Sequence, residues 1–444
     1  MDKFFEKYQI GCWYYRVTTR AIDDPNYLPY DLPTTMRDLG FTFVTLPEHH
    51  FEEGLVNLDK YIDRCEEEGM PALLCDKYIW AKKLDMYGEK IMRKRIQFYR
   101  ERYKDKKCIK LIHVCDEPNW RGGQTHESDN CGIVVDALKE LAPDWIPLIA
   151  TLGIEYSKIT SYDMVADFVK RAKPAFLLPN VYSPFVDDEK DKYQCFNQLF
   201  QCLNVYHKIS KDFNLPLWWS PMASNCWYFR EPMQVDYRWQ LNILAAHGVT
   251  GFVWYQIHSG PHAKMRNPID SFGQRSPKFY MLSYEIRAFK EKIAKKLEGY
   301  ELEKVYHFAR QYGEYPAMEE GVDDIIKNVS SFYFKAMVIS KFKAKDGSGK
   351  YRIMITNNEI GTHNHFNIQF NEPYSKYNKS AYLEDGTAEI IDLFDPEIDE
   401  ESMLTDWIDT LDLEEEIDRS KNALSSEEWA KSLNEATENG ELIK

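Results

Sequence analysis

Short runs rich in β-branched and aromatic residues alternate with longer segments of helical period through the first 300 residues, and this alternation limits the fold of the chain more than any other feature. Eight such runs are readable: Tyr8–Arg16, Phe41–Pro47, Pro71–Lys77, Ile109–Asp116, Trp145–Leu152, Phe176–Tyr182, Leu215–Pro221 and Val249–Gln256. Candidate helices fall between them, near 56–69, 86–104, 131–142, 161–173, 188–212 and 231–247. A short one precedes the second run near 33–39, and a last one covers 277–298. Strands separated by helices form crossover units, and crossovers make neighbouring strands parallel. Eight units over roughly 290 residues suit a closed (β/α)8 barrel better than an open doubly wound sheet. No Gly-x-Gly-x-x-Gly and no phosphate-binding lysine loop follows any of the runs, so the usual nucleotide signals are missing.

After residue 300 the pattern changes. Ser330–Lys343, Tyr351–Thr356, Thr362–Phe370 and Ala381–Leu393 alternate like strands, with turns at Asp346-Gly347-Ser348-Gly349 and Glu384-Asp385-Gly386-Thr387. This predicts a small antiparallel β-sandwich. Three regions are expected: a barrel over 1–300, a sandwich over 301–394 and an acidic, partly helical tail over 395–444. In the tail Leu404, Trp407, Ile408 and Leu411 recur at helical spacing, and Ser425 with Glu428 forms a candidate capping box.

Hydrophobic residues make up 44% of the chain, enough for a large core, and the 14% aromatic share leaves rings to spare for stacking on flat ligand faces. Net charge is −15, but 17 acids and 4 bases lie from Asp395 onward. The acidity therefore belongs to the tail and says little about a substrate, while it disfavours nucleic acid as a partner. The basic run from Lys90 to Lys107 has helical spacing and reads as a solvated helix face. Nine cysteines without a Cys-x-x-Cys pair point to reduced thiols and a cytoplasmic protein, with a secreted form whose signal has been trimmed as the alternative. The N-terminus has no secretory pattern and no run is long enough to span a membrane, so no membrane partner is expected; self-association stays open.

In a barrel of parallel strands, chemistry gathers at the C-terminal strand ends. Those ends carry Trp13, Tyr15, Glu48, His49, Asp76, Asp116, Glu117, Asn119, Trp120, Tyr182, Trp219, Trp227, Trp254, Gln256 and His258. The set is rich in carboxylates, amides and rings. Glycosidic cleavage needs a carboxylic acid to protonate the leaving oxygen, and a second carboxylate to attack, stabilise or activate water. The sharpest element is Ile112-His113-Val114-Cys115-Asp116-Glu117-Pro118-Asn119, an apolar strand that ends in two acids and a proline.

Asp-Glu-Pro-Asn at the end of the fourth run resembles the Asn-Glu-Pro motif of clan A glycoside hydrolases, in which the Glu is the general acid/base. Two further stretches are similar to that family: Ala245-Ala246-His247-Gly248-Val249-Thr250-Gly251-Phe252-Val253-Trp254-Tyr255 and Pro179-Asn180-Val181-Tyr182-Ser183-Pro184. The resemblance covers roughly residues 8–300 and the order of barrel then sandwich. It implies a glycoside hydrolase acting on an oligo- or polysaccharide, without cofactor or metal, with Glu117 as acid/base. Gly248 is expected to end its helix in a left-handed conformation, Gly251 to admit close packing, and Trp254 to form a stacking floor.

One departure is plain. Retaining members of the clan place a nucleophilic Glu at the end of the seventh strand, where this chain reads Leu217-Trp218-Trp219-Ser220-Pro221-Met222-Ala223-Ser224. The second carboxylate is then Asp116, Asp76, Glu48 or Glu155. Asp116 neighbours Glu117, and in a regular strand the two would face opposite sides. Two other readings stand beside this one. A metal-dependent hydrolase would draw on Glu48, His49, His50, Asp76, Asp116 and His258. A non-catalytic carbohydrate-binding barrel would explain the missing acid. His113 is expected as a satisfied interior group, Cys75 and Cys115 as packing residues, and His363 and His365 as solvent-facing.

Overall fold

The structure is a computed structural model that describes residues 3–13, 32–47, 52–118, 125–152, 154–155, 158–159, 161–182, 189–225, 229–258, 267–270 and 273–393. The expected tail lies outside these residues. Eight short parallel strands follow one another: β1 Gln9–Cys12, β2 Val44–Thr45, β3 Ala72–Leu74, β4 Ile109–Asp116, β5 Ile146–Leu152, β6 Pro179–Asn180, β7 Trp218–Trp219 and β8 Gly251–Trp254. Each sits inside one of the eight runs. Strands β2 to β6 pair in order, and β7, β8 and β1 form a second parallel set. A bridge from Leu177 to Leu217 joins β6 to β7. The circle closes between β1 and β2, where Thr42 N–H donates to Ile10 O at 2.7 Å and Thr45 Oγ1 to Cys12 O at 2.5 Å. The chain is therefore a (β/α)8 barrel.

Helices alternate with the strands: α1 Leu32–Leu39, α2 Glu52–Glu67, α3 Glu89–Arg102, α4 His126–Leu141, α5 Tyr162–Ala172, α6 Glu189–Phe213, α7 Gln234–Ala246 and α8 Pro277–Phe289. Helix α5 shows how the sequence sets its ends: Ser161 Oγ accepts from Met164 N–H, and Lys173 closes the helix in the left-handed region. Gly248, with φ +84°, follows α7 as expected. The basic run lies largely on α3, where Arg93 pairs with Glu89 and Glu140, Arg95 with Asp76, and Arg100 with Asp144. No described helix is long and apolar enough to cross a membrane. None of the eight described cysteines is in a disulfide.

Inward and outward residues alternate along the strands. Phe43, Leu73, Leu111, Leu148, Phe176, Trp218 and Val253 fill the barrel, while Ile10, Val44, Leu74, Ile112, Ile149, Leu177 and Phe252 meet the helices. The Trp218 ring occupies the axis, 4.1 Å from Phe176 and 5.9 Å from Phe43. Two glycines make room for these rings. A Cβ at Gly251 would lie 2.5 Å from Trp218, and one at Gly11 would lie 2.3 Å from Phe43.

The β-sandwich follows: β9 Tyr300–Phe308, β10 Ile326–Ser331, β11 Met337–Ala344, β12 Tyr351–Asn357, β13 Asn364–Phe370, β14 Lys379–Leu383 and β15 Ala388–Leu393. Sheet β9-β11-β12-β15 faces sheet β10-β13-β14. Two details depart from the sequence reading. The stretch Ser330–Lys343 is divided between β10 and β11 in different sheets, because Phe334 turns left-handed (φ +49°) and its N–H returns to Ser331 O. Strand β9 was not foreseen; a bulge between Leu302 and Lys304 breaks its alternation.

The larger sheet packs its second face on the barrel through Leu302, Val305, Val338, Phe342, Met354 and Ile390. Helix α7 lies between the two and is buried on nearly every side. Its Trp239 Nε1 donates to Asn358 Oδ1 at 3.0 Å, its Asn242 to Gly386 O at 2.8 Å, and Ser340 Oγ donates to Ala246 O at 2.6 Å. At its end a buried histidine pair bridges barrel and sandwich. His247 Nδ1–H donates to Ile243 O, and His307 Nδ1 accepts from Tyr312 N–H. That leaves His307 Nε2–H to donate to His247 Nε2 at 3.3 Å, an arrangement that requires both rings neutral.

Two tests follow from this packing. Gly251→Ala is expected to destabilise the protein by about 1–3 kcal/mol in urea denaturation, since Trp218 has nowhere to move. The second concerns pH. Burial pushes His247 from an ordinary 6.5 down to about 3, with His207 adding to the shift, and burial with His247 holds His307 well below its usual value. The unfolded chain takes up protons near pH 6.5 while the folded pair does not, so stability is full above that pH and declines as pH falls toward 3. Urea midpoints from pH 8 to pH 4 should show that decline, and a His247→Gln, His307→Gln double variant should show a shallower one.

Candidate active site

Strand β4 carries the two acids to the barrel mouth, and its geometry departs from a regular strand twice. Leu111 and His113 face inward and Ile112 outward. Between His113 and Cys115 the register with β5 then skips a residue. Val114 and Cys115 both end on the helix side, Cys115 beside Cys131 of α4. This bulge restores an inward direction to Asp116. The next residue, Glu117, has φ +49°, a conformation that costs a residue with a side chain about 1–3 kcal/mol. Its N–H donates to Ala150 O at 2.8 Å, which holds the turn against β5.

The consequence is that both acids point to one partner. Asn180, inward-facing at the end of β6 and only 9% exposed, donates from Nδ2 to Asp116 Oδ1 and to Glu117 Oε1, each at 3.1 Å. The expected divergence of the two side chains is therefore overturned by the bulge and the left-handed turn. Asn180 Oδ1 is buried with no hydrogen-bond partner. A buried acceptor in that state costs roughly 1–3 kcal/mol, and one beside two carboxylates at the C-terminal strand ends is an acceptor for an incoming donor. Glu117 itself is half-exposed and Asp116 exposed.

Below the acids lies His113, 6% exposed, between the rings of Trp80 at 5.3 Å and Trp13 at 5.9 Å. His113 is an interior group, as expected; its ring nitrogens and Trp80 Nε1 are buried, and the polar group set against the imidazole is the Cys115 backbone. Burial, with Lys82 adding, holds it at about 4, hence neutral near pH 7. Trp13 Nε1 donates to Ser220 Oγ at 2.8 Å, and that hydroxyl donates to Val253 O. The Tyr182 and Tyr255 rings pack at 5.0 Å beside Asn180's strand.

The other expected site residues divide into three groups. Trp13 and Tyr182 stand with the acids at the mouth. Four do not. Asp76 faces outward, because Leu73 and Cys75 take the inward positions; its carboxylate accepts from Arg95 Nε at 2.7 Å, Tyr99 OH at 2.5 Å and Tyr78 N–H at 2.7 Å. Trp219 and Trp254 are fully buried in the layer between strands and helices, Trp219 against Tyr206 and bonded to Val181 O, Trp254 against Tyr237. Their outward parity follows from Trp218 and Val253 pointing in, so Trp254 is no stacking floor. Gln256 is wholly buried and its carbonyl accepts from Ser224 Oγ. His258 is half-buried with neither nitrogen bonded, and burial lowers its pKa. Tyr15, Glu48, His49, Asn119, Trp120 and Trp227 lie outside the described residues, as does the Glu155 side chain. Among the described residues no three His, Cys, Asp or Glu converge as a metal site.

Asn180 and Tyr255 lie at strand ends in the sequence and His113 was expected inside the barrel, but none of the three was given a chemical role from the sequence. Strand parity from Phe176 would have placed Asn180 inward. A 440 Å³ cleft lined by Lys7, His207, Lys211, Gly248 and Glu298 lies at the opposite end of the barrel, against the sandwich.

No protein-family model matches the chain, and no curated protein matches it in sequence. Among solved structures, a family 5 glycoside hydrolase from Bacteroides vulgatus aligns over 87% of this chain and 89% of its own, with TM-score 0.53 and 11% identity. A family 39 glycoside hydrolase from Bacteroides cellulosilyticus aligns over 88% and 80%, with TM-score 0.48 and 12% identity. A β-galactosidase from a psychrophilic Marinomonas aligns over 64% of this chain, with TM-score 0.47 and 11% identity; the chain spans 59% of that enzyme's length. At such identities the family 5 likeness is one of fold.

The division of tryptophans from mouth residues is testable by stability. Trp219→Ala and Trp254→Ala are each expected to cost about 3–5 kcal/mol in urea denaturation. Tyr182→Phe should cost about 1 kcal/mol or less.

Proposed function

We propose that this chain is a glycoside hydrolase acting on an oligo- or polysaccharide, with Glu117 as its general acid/base. The single observation that carries the reading is the placement of Glu117: at the C-terminal end of β4, turned by a left-handed backbone toward the β6 amide of Asn180. A barrel of this kind presents its chemistry at that end, and backbone strain of this sort persists where surrounding contacts over-determine it, often at functional sites. The fold shared with a family 5 glycoside hydrolase supports the same reading.

In this reading the sugar lies over Trp13 and His113, with Tyr182 and Tyr255 on one wall. Glu117 protonates the departing oxygen and then deprotonates the water that completes hydrolysis. Asn180 holds the two neighbouring acids in place, and its free carbonyl takes a sugar hydroxyl. Asp76 is no longer a candidate partner, given its contacts with Arg95 and Tyr99. Asp116 remains, with Glu48 and Glu155.

A non-catalytic carbohydrate-binding barrel is the second reading, favoured by the absence of any Asp or Glu between Asp212 and Glu231 in sequence. Glu231 pairs with Lys278 at 2.8 Å. A panel of aryl glycosides and oligosaccharides, assayed with wild type and Glu117→Gln, separates the two. The glycosidase reading expects turnover, a kcat loss of roughly 10²–10⁴-fold in the variant, and an unchanged melting temperature. Binding of an oligosaccharide without turnover by wild type supports the second reading instead.

A further inference from the structure

We propose that the substrate is a 2-acetamido sugar, whose own acetamide is the nucleophile, with Asp116 holding the acetamide N–H. This rests on the glycosidase reading above and deepens it.

A protein nucleophile and an acid/base must approach the anomeric carbon from opposite faces of the ring, with carboxyl groups about 5 Å apart for retention and roughly 6.5–9.5 Å for inversion. Asp116 and Glu117 are not arranged in that way. They are consecutive residues on one wall, each accepting from the same Asn180 nitrogen at 3.1 Å. The opposite position, at the end of β7, has no acid: Ser220, Pro221, Met222, Ala223, Ser224 and Asn225 follow one another there. Asp76 and Glu231, the acids nearest in sequence to β3 and to the segment after β7, are paired to Arg95 and Lys278.

Two acids side by side suit a different division of labour. The substituent on C2 is one bond from the reacting carbon. A carboxylate that grips it must therefore stand beside the acid/base, as Asp116 does. The buried, unpartnered Oδ1 of Asn180 is an independent sign that a donor-bearing ligand enters here. Tyr182, two residues beyond Asn180, packs its ring on Tyr255 at 5.0 Å, and in this proposal its phenol meets the acetamide oxygen.

The steps balance. The acetamide carbonyl oxygen attacks C1 as the C1–O bond to the leaving group breaks, and Glu117 gives its proton to that oxygen. Asp116 accepts the hydrogen bond of the acetamide N–H and so stabilises the cationic oxazolinium ring. Water, deprotonated by Glu117, then attacks C1; the ring opens and the electron pair returns to the acetamide. The configuration at C1 is retained, and no oxidant or metal enters the sequence.

The test uses the full chain and aryl glycosides in both anomeric forms that differ only at C2, acetamido against hydroxyl. The acetamido substrate of one anomer is expected to exceed its hydroxyl counterpart by roughly 100-fold or more in kcat/KM. Its product should retain configuration by NMR. Progressive fluorination of the N-acyl group should slow the reaction steeply, because it weakens the attacking carbonyl. Asp116→Asn should lower kcat by on the order of 10²-fold with melting temperature unchanged, and should flatten the fluorination dependence. Cleavage of hydroxyl substrates equally well, an inverted product, or indifference to fluorination overturns this inference while leaving the glycosidase reading intact. A folded wild type that cleaves no member of either series overturns both.

Discussion

Closure of eight parallel strands around a ring-filled axis is the constraint on which the rest of the structure depends. Trp218 can occupy that axis only because Gly251 and Gly11 carry no side chain against it and Phe43. Once the cylinder closes, the alternation of each strand dictates which residue enters the barrel and which meets a helix. Trp218 inward forces Trp219 outward, and Val253 inward forces Trp254 outward. Residues adjacent in sequence thereby belong to different environments.

The mouth is where this rule is broken. The bulge after His113 and the left-handed turn at Glu117 cancel the alternation that would have separated two consecutive acids. Two like charges brought to one wall repel each other. Their common amide donor and water offset that repulsion, and exposure on the Asp116 side screens it. Both departures carry a cost in stability, which the Glu117 N–H bond to Ala150 O and the bonds from Asn180 offset in part. The site is thus the place where the local rules of the strand yield to a geometry set by β5 and β6, through Ala150 O and Asn180.

The sandwich has a different relation to the barrel. It packs on α7, a helix buried on most of its faces, and the contact is completed by directional bonds from Trp239, Asn242 and Ser340 and by the neutral pair His247–His307. These bonds fix orientation as well as adding burial. The cleft at the barrel's opposite end is a by-product of this seam and lies far from the acids.

Hydrophobic periodicity was enough to read the eight strands, the helices between them and most of the sandwich, because burial imposes a period of 2 or 3.6 on the chain itself. The Asp-Glu-Pro stop of β4 and the left-handed Gly248 were readable for the same local reason. What periodicity does not contain is the phase of a bulged strand or the partner across a barrel. Asp76 and Trp254 looked like mouth residues because strand ends were counted without their parity, and Asn180, though readable at the sixth strand end, had no role assigned to it because its partners lie on another strand. That Asp116 and Glu117 share one donor was decided only in three dimensions, since a hydrogen bond between residues more than sixty positions apart depends on how the cylinder closes.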